Sequence, residues 1–273
     1  MTQKTLSKLL LLSLVLFASH LFAQHSSWKL GVQLWTYHVS SFEKALERAD
    51  SAGLKLMEIY PGQRLSENGN DGIGPDLAPQ RIQYMQDLLR KHQVTLTSFG
   101  VVVCEKSSEW EPYFQFAKTM KIPLLTAEPA KEDLDLVNNL AGKYNIKVAI
   151  HNHPKPSVYW HPDSVAVAIK GRPFLGACAD IGHWVRVGLR PADCLKKLEG
   201  RVFSLHVKDV DATTKEDTRF GEGLCDIPSV LKELKRQRFK GVFTMEHETN
   251  WGYNTPDLIF NQQYFYKHIP KNL

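Results

Sequence analysis

Histidine and carboxylate side chains recur at the ends of short apolar segments in this sequence. Asp180, His206 and Glu246 are the clearest cases, and each follows a run of apolar or small residues. Imidazole and carboxylate groups bind borderline-to-hard divalent ions, and the same groups transfer protons in acid–base catalysis. The pattern therefore predicts an enzyme that uses one divalent metal ion, with Mn, Mg, Co and Zn as the candidates.

Three further segments end in the same residue types, at Glu58, at Glu128 and at the pair His151 and His153. Taken singly, such residues are often structural, since a histidine like His206 commonly makes only a buried hydrogen bond and an aspartate like Asp180 can cap a helix. Six of the eight apolar segments nevertheless end in titratable or metal-binding side chains. We therefore expect these side chains to form one shared site.

The apolar segments alternate with amphipathic stretches throughout residues 24–273. This alternation predicts parallel strands joined by right-handed helical crossovers, and eight such units in about 250 residues predict a single (β/α)8 TIM barrel. In that fold the active site lies at the carboxyl ends of the strands, where the titratable residues fall. The alternative is an open doubly wound sheet, which normally has a glycine-rich turn after its first strand. The predicted strands are 30–37, 54–60, 95–103, 123–128, 146–153, 174–183, 202–210 and 242–248.

The stretches between the strands have helical periodicity. Ser40 and Glu43 have the spacing of a capping box, which predicts a helix that starts there and ends near Gly53. Residues 81–91 place four apolar side chains on one helix face. The other predicted helices are 113–120, 134–144, 164–169, 192–198, 230–236 and 255–268.

The first 23 residues have the features of a signal peptide. Lys4 and Lys8 precede an apolar run over 9–18, and Leu21-Phe22-Ala23 offers a cleavage site. The run is too short to span a bilayer, although an uncleaved anchor is the alternative. We expect an exported, periplasmic protein that has no stable membrane insertion after cleavage, with the barrel over residues 24–273.

The composition is that of a globular protein of enzyme size. The chain has 273 residues, of which 43% are hydrophobic, 10% aromatic and 23% charged. A formal charge of +5 is too small for a nucleic-acid-binding surface, so we expect a small-molecule substrate. The sequence leaves open how the four cysteines are paired and whether the protein forms an oligomer.

Several motifs resemble those of the sugar phosphate isomerase/epimerase family, whose members are xylose-isomerase-like TIM barrels. The likeness is strongest over residues 146–248 and extends more loosely over the rest of the chain after residue 23. The motifs are Ala179-Asp180-Ile181-Gly182-His183-Trp184, Ser204-Leu205-His206-Val207-Lys208-Asp209, Gly221-Glu222-Gly223 with Asp226, and Met245-Glu246.

The resemblance implies a set of metal ligands. Asp180, His206 and Glu246 match three of the four ligands of the family, but His151 stands where the family has a glutamate on the fifth strand. A histidine can still coordinate a metal, although it removes one negative charge and one catalytic carboxylate. Glu128 could restore that charge as a fifth ligand or a base. Alternatively, it is an acid at a helix N terminus, since Pro129 opens the next segment.

Other residues have candidate roles around the substrate. His183 resembles a substrate-facing histidine of the family, or else it holds Asp180. Lys208 would stabilise a developing oxyanion, or else it pairs with Asp209. Glu58 would bind substrate hydroxyls or form a salt bridge, and Trp184 would contact the apolar face of a sugar or only pack.

The resemblance implies chemistry on a keto-sugar, in which a base removes the proton next to a metal-bound carbonyl and an enediolate forms. Only Glu246 matches the two glutamates that epimerases of the family use, so with His153 or Lys208 as an acid we expect hydratase or lyase chemistry on 3-keto-sugar derivatives. The alternative is a sugar isomerase or epimerase on a free ketose. More distant alternatives are a periplasmic sugar-binding protein without catalysis and a nucleic-acid enzyme, because apurinic endonucleases share the fold.

Overall fold

Eight parallel strands form a closed barrel in the computed structural model, which describes residues 28–270. Every strand pairs with its sequence neighbours, and the last pairs with the first through Leu30 and Phe243. This confirms the predicted single TIM barrel. The barrel strands are β1 (Leu30–Gln33), β2 (Leu56–Ile59), β3 (Thr95–Val102), β4 (Leu124–Ala127), β5 (Lys147–His151), β6 (Leu175–Asp180), β7 (Val202–Val207) and β8 (Val242–Met245).

The strands are apolar because both of their faces are covered. All six residues of β6 and all four of β1 are buried, since one face lines the barrel interior and the other packs against helices. All eight predicted strands extend past the observed carboxyl ends, and two of them run into helices. Residues Leu34–Tyr37 form a 3-10 helix instead of extending β1, and β6 passes directly into a helix after Asp180.

The helices follow the predicted amphipathic stretches. Ser41, not Ser40, caps the first helix with its side chain. Glu43 makes no capping box, because its carboxylate accepts hydrogen bonds from the Glu67 amide and the Tyr84 hydroxyl. The helices are α1 (Phe42–Ser51), α2 (Pro79–His92), α3 (Trp110–Thr119), α4 (Leu134–Tyr144), α5 (Pro162–Ile169), α6 (Ile181–Arg186), α7 (Pro191–Lys197), α8 (Ile227–Arg236) and α9 (Thr255–His268). Short 3-10 helices also span Ser107–Glu109 and Lys131–Asp133.

Several predictions concern regions outside or beside the barrel. The predicted signal peptide over residues 1–23 lies outside the described residues. Within residues 28–270, no helix is both long enough and apolar enough to cross a bilayer. All four cysteines are buried and unpaired. A two-stranded hairpin, Asp209–Val210 with Asp217–Thr218, lies in the loop that follows β7.

Candidate active site

A pocket opens at the carboxyl ends of the barrel strands, where the sequence places the titratable residues. One wall is polar and is formed by His151, His153, His183, Glu246 and Glu248. The opposite wall is largely apolar and includes Trp35, Tyr60, Pro61 and Val101. The pocket therefore offers charged and hydrogen-bonding groups on one side and ring surfaces on the other.

Three donor atoms at the base of the polar wall converge as metal ligands do. His151 Nε2 lies 3.2 Å from His206 Nδ1 and 3.6 Å from Asp180 Oδ2, and the last two atoms are 3.9 Å apart. Asp180 Oδ2 is buried, and it faces the two imidazoles and the ammonium group of Lys208. Two imidazoles and a carboxylate oxygen that face one another fit a divalent ion well.

Glu246 reaches the same group from β8. Its Oε2 lies 3.1 Å from His206 Nδ1, so a carboxylate joins the two histidines and Asp180. A second group of donors, formed by His151, His153 and His183, overlaps the first through His151. The three residues that match the family ligands and His151 thus lie together, as the sequence predicts.

Glu58 orients one of these imidazoles and does not reach the pocket. Its carboxylate is buried and lies 3.1 Å from His206 Nε2, while Ser98 Oγ donates to the same oxygen at 2.7 Å. A carboxylate behind a histidine fixes the ring so that its other nitrogen faces the metal. Of the two roles predicted for Glu58, the structure shows an ion pair, here with His206, and the side chain does not line the pocket.

Asp180 is fixed on both its backbone and its side chain. The side chain of Asn152 accepts from the Asp180 amide and donates to its carbonyl oxygen, both at 2.9 Å. Asp180 Oδ1 accepts from the His183 amide at 2.7 Å and caps α6. The helix-cap interpretation and the ligand interpretation of Asp180 are thus compatible, because each uses a different carboxylate oxygen.

Lys208 is fully buried between the carboxylates of the site. Its Nζ lies 3.2 Å from Asp180 Oδ2 and 3.0 Å from Glu246 Oε2, and it also bonds Glu248. The alternative partner, Asp209, instead accepts backbone amides of the following loop. Gly182 makes room for the lysine, since a Cβ there would lie 2.3 Å from Lys208 Cγ.

Glu128 packs against two histidines. Its carboxylate lies 3.3 Å from His151 Nδ1, bonds His153 Nδ1, and accepts from Ser157 Oγ at 2.7 Å. It lies outside both groups of converging metal donors. In the structure, Glu128 holds the two imidazoles from behind, because it contacts the nitrogen of His151 that faces away from Asp180.

The charges of the site stabilise one another. Burial disfavours a charge on His151, but hydrogen bonds with Asp180 and Glu128 outweigh it and raise the pKa of His151 to about 9. Burial acts against an ionised Glu246 as well, yet Lys208 and His206 hold the pKa of that carboxyl below its usual range. Burial raises the pKa of Asp180, but the neighbouring His183 and Lys208 lower it more, so that this pKa lies well below its ordinary value.

A model of the xylose isomerase-like TIM barrel family matches residues 125–265, which is more than half of the chain. The chain belongs to this family. A solved structure of an uncharacterized protein from Parabacteroides distasonis ATCC 8503 is 32% identical, with 88% of this chain and 98% of that one aligned at a TM-score of 0.72. A D-allulose 3-epimerase from Methylomonas sp. has the same fold, at 12% identity, a TM-score of 0.71 and coverage of 88% and 98%.

Among curated proteins, one from Methanocaldococcus jannaschii is 28% identical over 122 residues. The match covers 42% of this xylose isomerase-like chain and 41% of that protein, so it spans less than half the length of the relative. The family model and the Parabacteroides structure, rather than this shorter match, establish the family.

Trp184, the aromatic residue predicted to contact a sugar, is not among the side chains that line the pocket of this barrel. Trp184 is fully buried in the hydrophobic core, where it packs, which is the alternative role given for it above. Trp35 and Tyr60 line the pocket instead, and their rings meet edge to face with centroids 5.0 Å apart. Trp35 is 41% exposed, which leaves much of its ring available to a ligand.

Sequence reasoning also missed residues behind the polar wall of the barrel. Arg186 contacts His183 and Asp217, and Asp217 in turn accepts from the Glu248 amide at 2.7 Å. Arg186 follows His183 by three residues, which places both on one helix face, so this contact had a signal in the spacing. Asp217 lies in a long loop and had no such signal.

We expect Lys208→Met to destabilise the metal-free protein by about 3–5 kcal/mol, because removing one partner of a buried ion pair leaves uncompensated charges. Asp180 and Glu246 would then face each other without the ammonium group that pairs with both of them. Unfolding in denaturant should show the loss, and Lys196→Met on the exposed side of α7 is the control. Saturating Mn²⁺ should restore much of the loss, and a variant as stable as wild type without metal would contradict the prediction.

Proposed function

We propose that this chain is a metal-dependent sugar isomerase or epimerase that acts on a free keto-sugar. The observation that carries the proposal is the convergence of His151, Asp180, His206 and Glu246 beside a pocket with an aromatic wall. Epimerases on D-allulose, D-psicose and L-ribulose are among the proteins that share the fold. Those likenesses are distant, so the ligand geometry of this chain is the main support.

The polar wall supplies the groups that such chemistry requires. When bound by the four ligands, a divalent ion would supply Lewis-acid polarisation of a sugar carbonyl. Glu246 lines the pocket as an ionised carboxylate, so one of its oxygens is suited to accept the proton from the neighbouring carbon. His153 also lines the pocket, and Glu128 binds its Nδ1, so this ring is the candidate to return a proton.

The aromatic wall suits a sugar ring. Carbohydrates have apolar faces of C–H groups, and exposed tryptophan surface excludes water from such a face while polar groups opposite bind the hydroxyls. Trp35 and Tyr60 provide this surface, and Gln33 lies beside them in the pocket lining. The two walls therefore favour a polyhydroxylated ligand with one apolar face.

A hydratase or lyase acting on a 3-keto-sugar derivative is the second candidate. His151 replaces the glutamate expected on β5, and Glu128 is occupied by His151, His153 and Ser157. Elimination needs one base at carbon and one acid at the departing oxygen, which Glu246 and His153 would provide. In that reaction the C2 proton passes to Glu246, the C1–O bond breaks, and the departing oxygen takes a proton from His153.

The experiment that tests these candidates compares substrates in deuterated solvent. The metal-loaded protein is incubated with ketohexoses, a 3-keto-glucoside and its 2-hydroxy-3-keto-glycal, and products and deuterium uptake are followed by NMR. Turnover of ketohexoses alone supports isomerase or epimerase activity, and reaction of the keto-sugar derivatives alone supports the second candidate. A protein that binds sugar without a metal and exchanges no proton would overturn both.

We expect a free sugar to be a better substrate than its phosphate, by at least about tenfold in kcat/KM. The pocket wall carries the carboxylates of Glu246 and Glu248, and none of the described residues that line it is an arginine or a lysine. A dianionic phosphate would therefore meet two carboxylates, and the Lys208 that pairs with them is fully buried and does not line the pocket. Steady-state kinetics with fructose and fructose 6-phosphate, or whichever ketose pair is turned over, checks this, and preference for the phosphate would contradict it.

A further inference from the structure

The guanidinium group of Arg186 contacts a histidine of the pocket from behind. Arg186 Nη1 lies 3.1 Å from His183 Nδ1, one helical turn away on α6. A guanidinium group has N–H donors and no acceptor, so His183 Nδ1 must accept this hydrogen bond. A neutral His183 ring in this position therefore carries its proton on Nε2.

Arg186 is itself held in place from two sides. Its Nη2 donates to the buried carboxylate of Asp217, and its Nε donates to the Lys215 carbonyl at 3.1 Å. Asp217 Oδ2 accepts from the Glu248 amide at 2.7 Å, which ties the hairpin after β7 to the end of β8. The guanidinium group thus has a fixed position and cannot turn away from His183 without breaking these bonds.

The other ring nitrogen of His183, Nε2, lies on the side of the candidate metal ligands. His183 lines the pocket, and its Nε2 lies 3.6 Å from Asp180 Oδ2. A ring fixed as the Nε2–H form offers a hydrogen-bond donor at the edge of the ligand group.

We propose that Arg186, held by Asp217, is a positioning residue that fixes His183 as the Nε2–H tautomer, so that this ring donates a hydrogen bond to a substrate oxygen. The inference rests on the proposed function for the identity of that oxygen, which would belong to the carbonyl or a hydroxyl of the sugar. A neutral imidazole can stabilise a developing oxyanion by donating a hydrogen bond. The Arg186 guanidinium group bound to Nδ1 makes the Nε2–H group a stronger donor. Arg186 would thus act through His183 without touching the sugar.

The test is a measurement of the His183 tautomer in the full-length mature protein, both metal-free and loaded with Zn²⁺. Two-bond ¹H–¹⁵N NMR spectra separate protonated from unprotonated ring nitrogens, and His183→Gln identifies the signals. We expect an unprotonated Nδ1 in wild type and a mixture of tautomers in Arg186→Met. Arg186→Lys keeps a cationic donor and should keep more of the Nε2–H form. Arg190→Met, at an exposed position just before α7, should leave the tautomer unchanged.

Kinetics supply a second readout once a substrate is known. Loss of an orienting partner typically costs about 10–100-fold in activity, and we expect Arg186→Met to lower kcat with little change in KM. A wild-type His183 protonated on Nδ1, or an Arg186→Met variant with an unchanged tautomer, would overturn the proposal. The tautomer is measured without substrate. Failure of the proposed sugar chemistry would therefore leave the tautomer result unaffected, and an unexpected tautomer would leave the proposed sugar chemistry unaffected.

Discussion

His206→Ala is expected to remove most of the divalent ion and to reduce activity by at least about a hundredfold. The substitution deletes the Nδ1 atom that lies within 3.2 Å of both His151 and Glu246. It also leaves the buried Glu58 carboxylate without its imidazole partner. Metal analysis after dialysis measures the first effect, and deuterium exchange into the sugar measures the second.

The control for this substitution is a histidine outside the site. His161 caps α5 through its ring and lies among partly exposed residues, so His161→Ala removes an imidazole without touching the candidate ligands. It should retain metal and activity. Full metal occupancy in His206→Ala would show that the ion binds elsewhere, with the group formed by His151, His153 and His183 as the first place to look.

The barrel could be predicted because hydrophobic burial repeats along the chain. Each strand is covered on both faces, so eight continuous apolar runs mark it in the sequence. The ends of these runs are less informative, since Leu34–Tyr37 is as apolar as β1 yet forms a 3-10 helix. There, the Gln33 side chain accepts from the Trp35 amide and turns the chain out of the sheet.

The candidate ligands could be predicted for a related reason. Parallel strands of a barrel all end on one side, so Asp180, His206 and Glu246 must approach one another whatever the loops do. The orientation of a single side chain depends on local geometry that the pattern does not contain. Trp184 follows His183 on α6, and neighbouring helical residues point about 100° apart, so a histidine that faces the pocket sends the tryptophan into the core.

Glu58 shows that the sequence pattern also leaves the surroundings of a strand residue undetermined. Alternation along β2 predicts that its side chain points into the barrel, but the depth of the residue decides whether it meets substrate or another side chain. Because Glu58 pairs with Ser98 on the next strand, it lies below the pocket floor and reaches His206. That depth depends on the register of the strands, which a single sequence does not specify.

Glu246→Gln is expected to lower deuterium exchange at the carbon next to the sugar carbonyl by about 10²–10⁴-fold, measured at saturating metal. Glutamine keeps the size of the side chain and one oxygen for Lys208 or His206, but an amide does not accept a proton from carbon. Glu222→Gln is the matched control, because Glu222 is exposed in the loop after the hairpin. Measuring metal content in the same samples separates loss of a ligand from loss of the base.

A metal-loaded Glu246→Gln variant that still exchanges the proton would place the base elsewhere on the polar wall. Among the described residues that line the pocket, His153 and Glu248 are then the candidate bases, since Glu58 lies below the pocket and Lys208 is fully buried and bonded to three carboxylates. The variant therefore decides whether the carboxylate at the end of β8 is the base in a site where His151 ends β5. Retained exchange in Glu246→Gln together with its loss in His153→Gln would assign proton removal to the histidine that Glu128 orients.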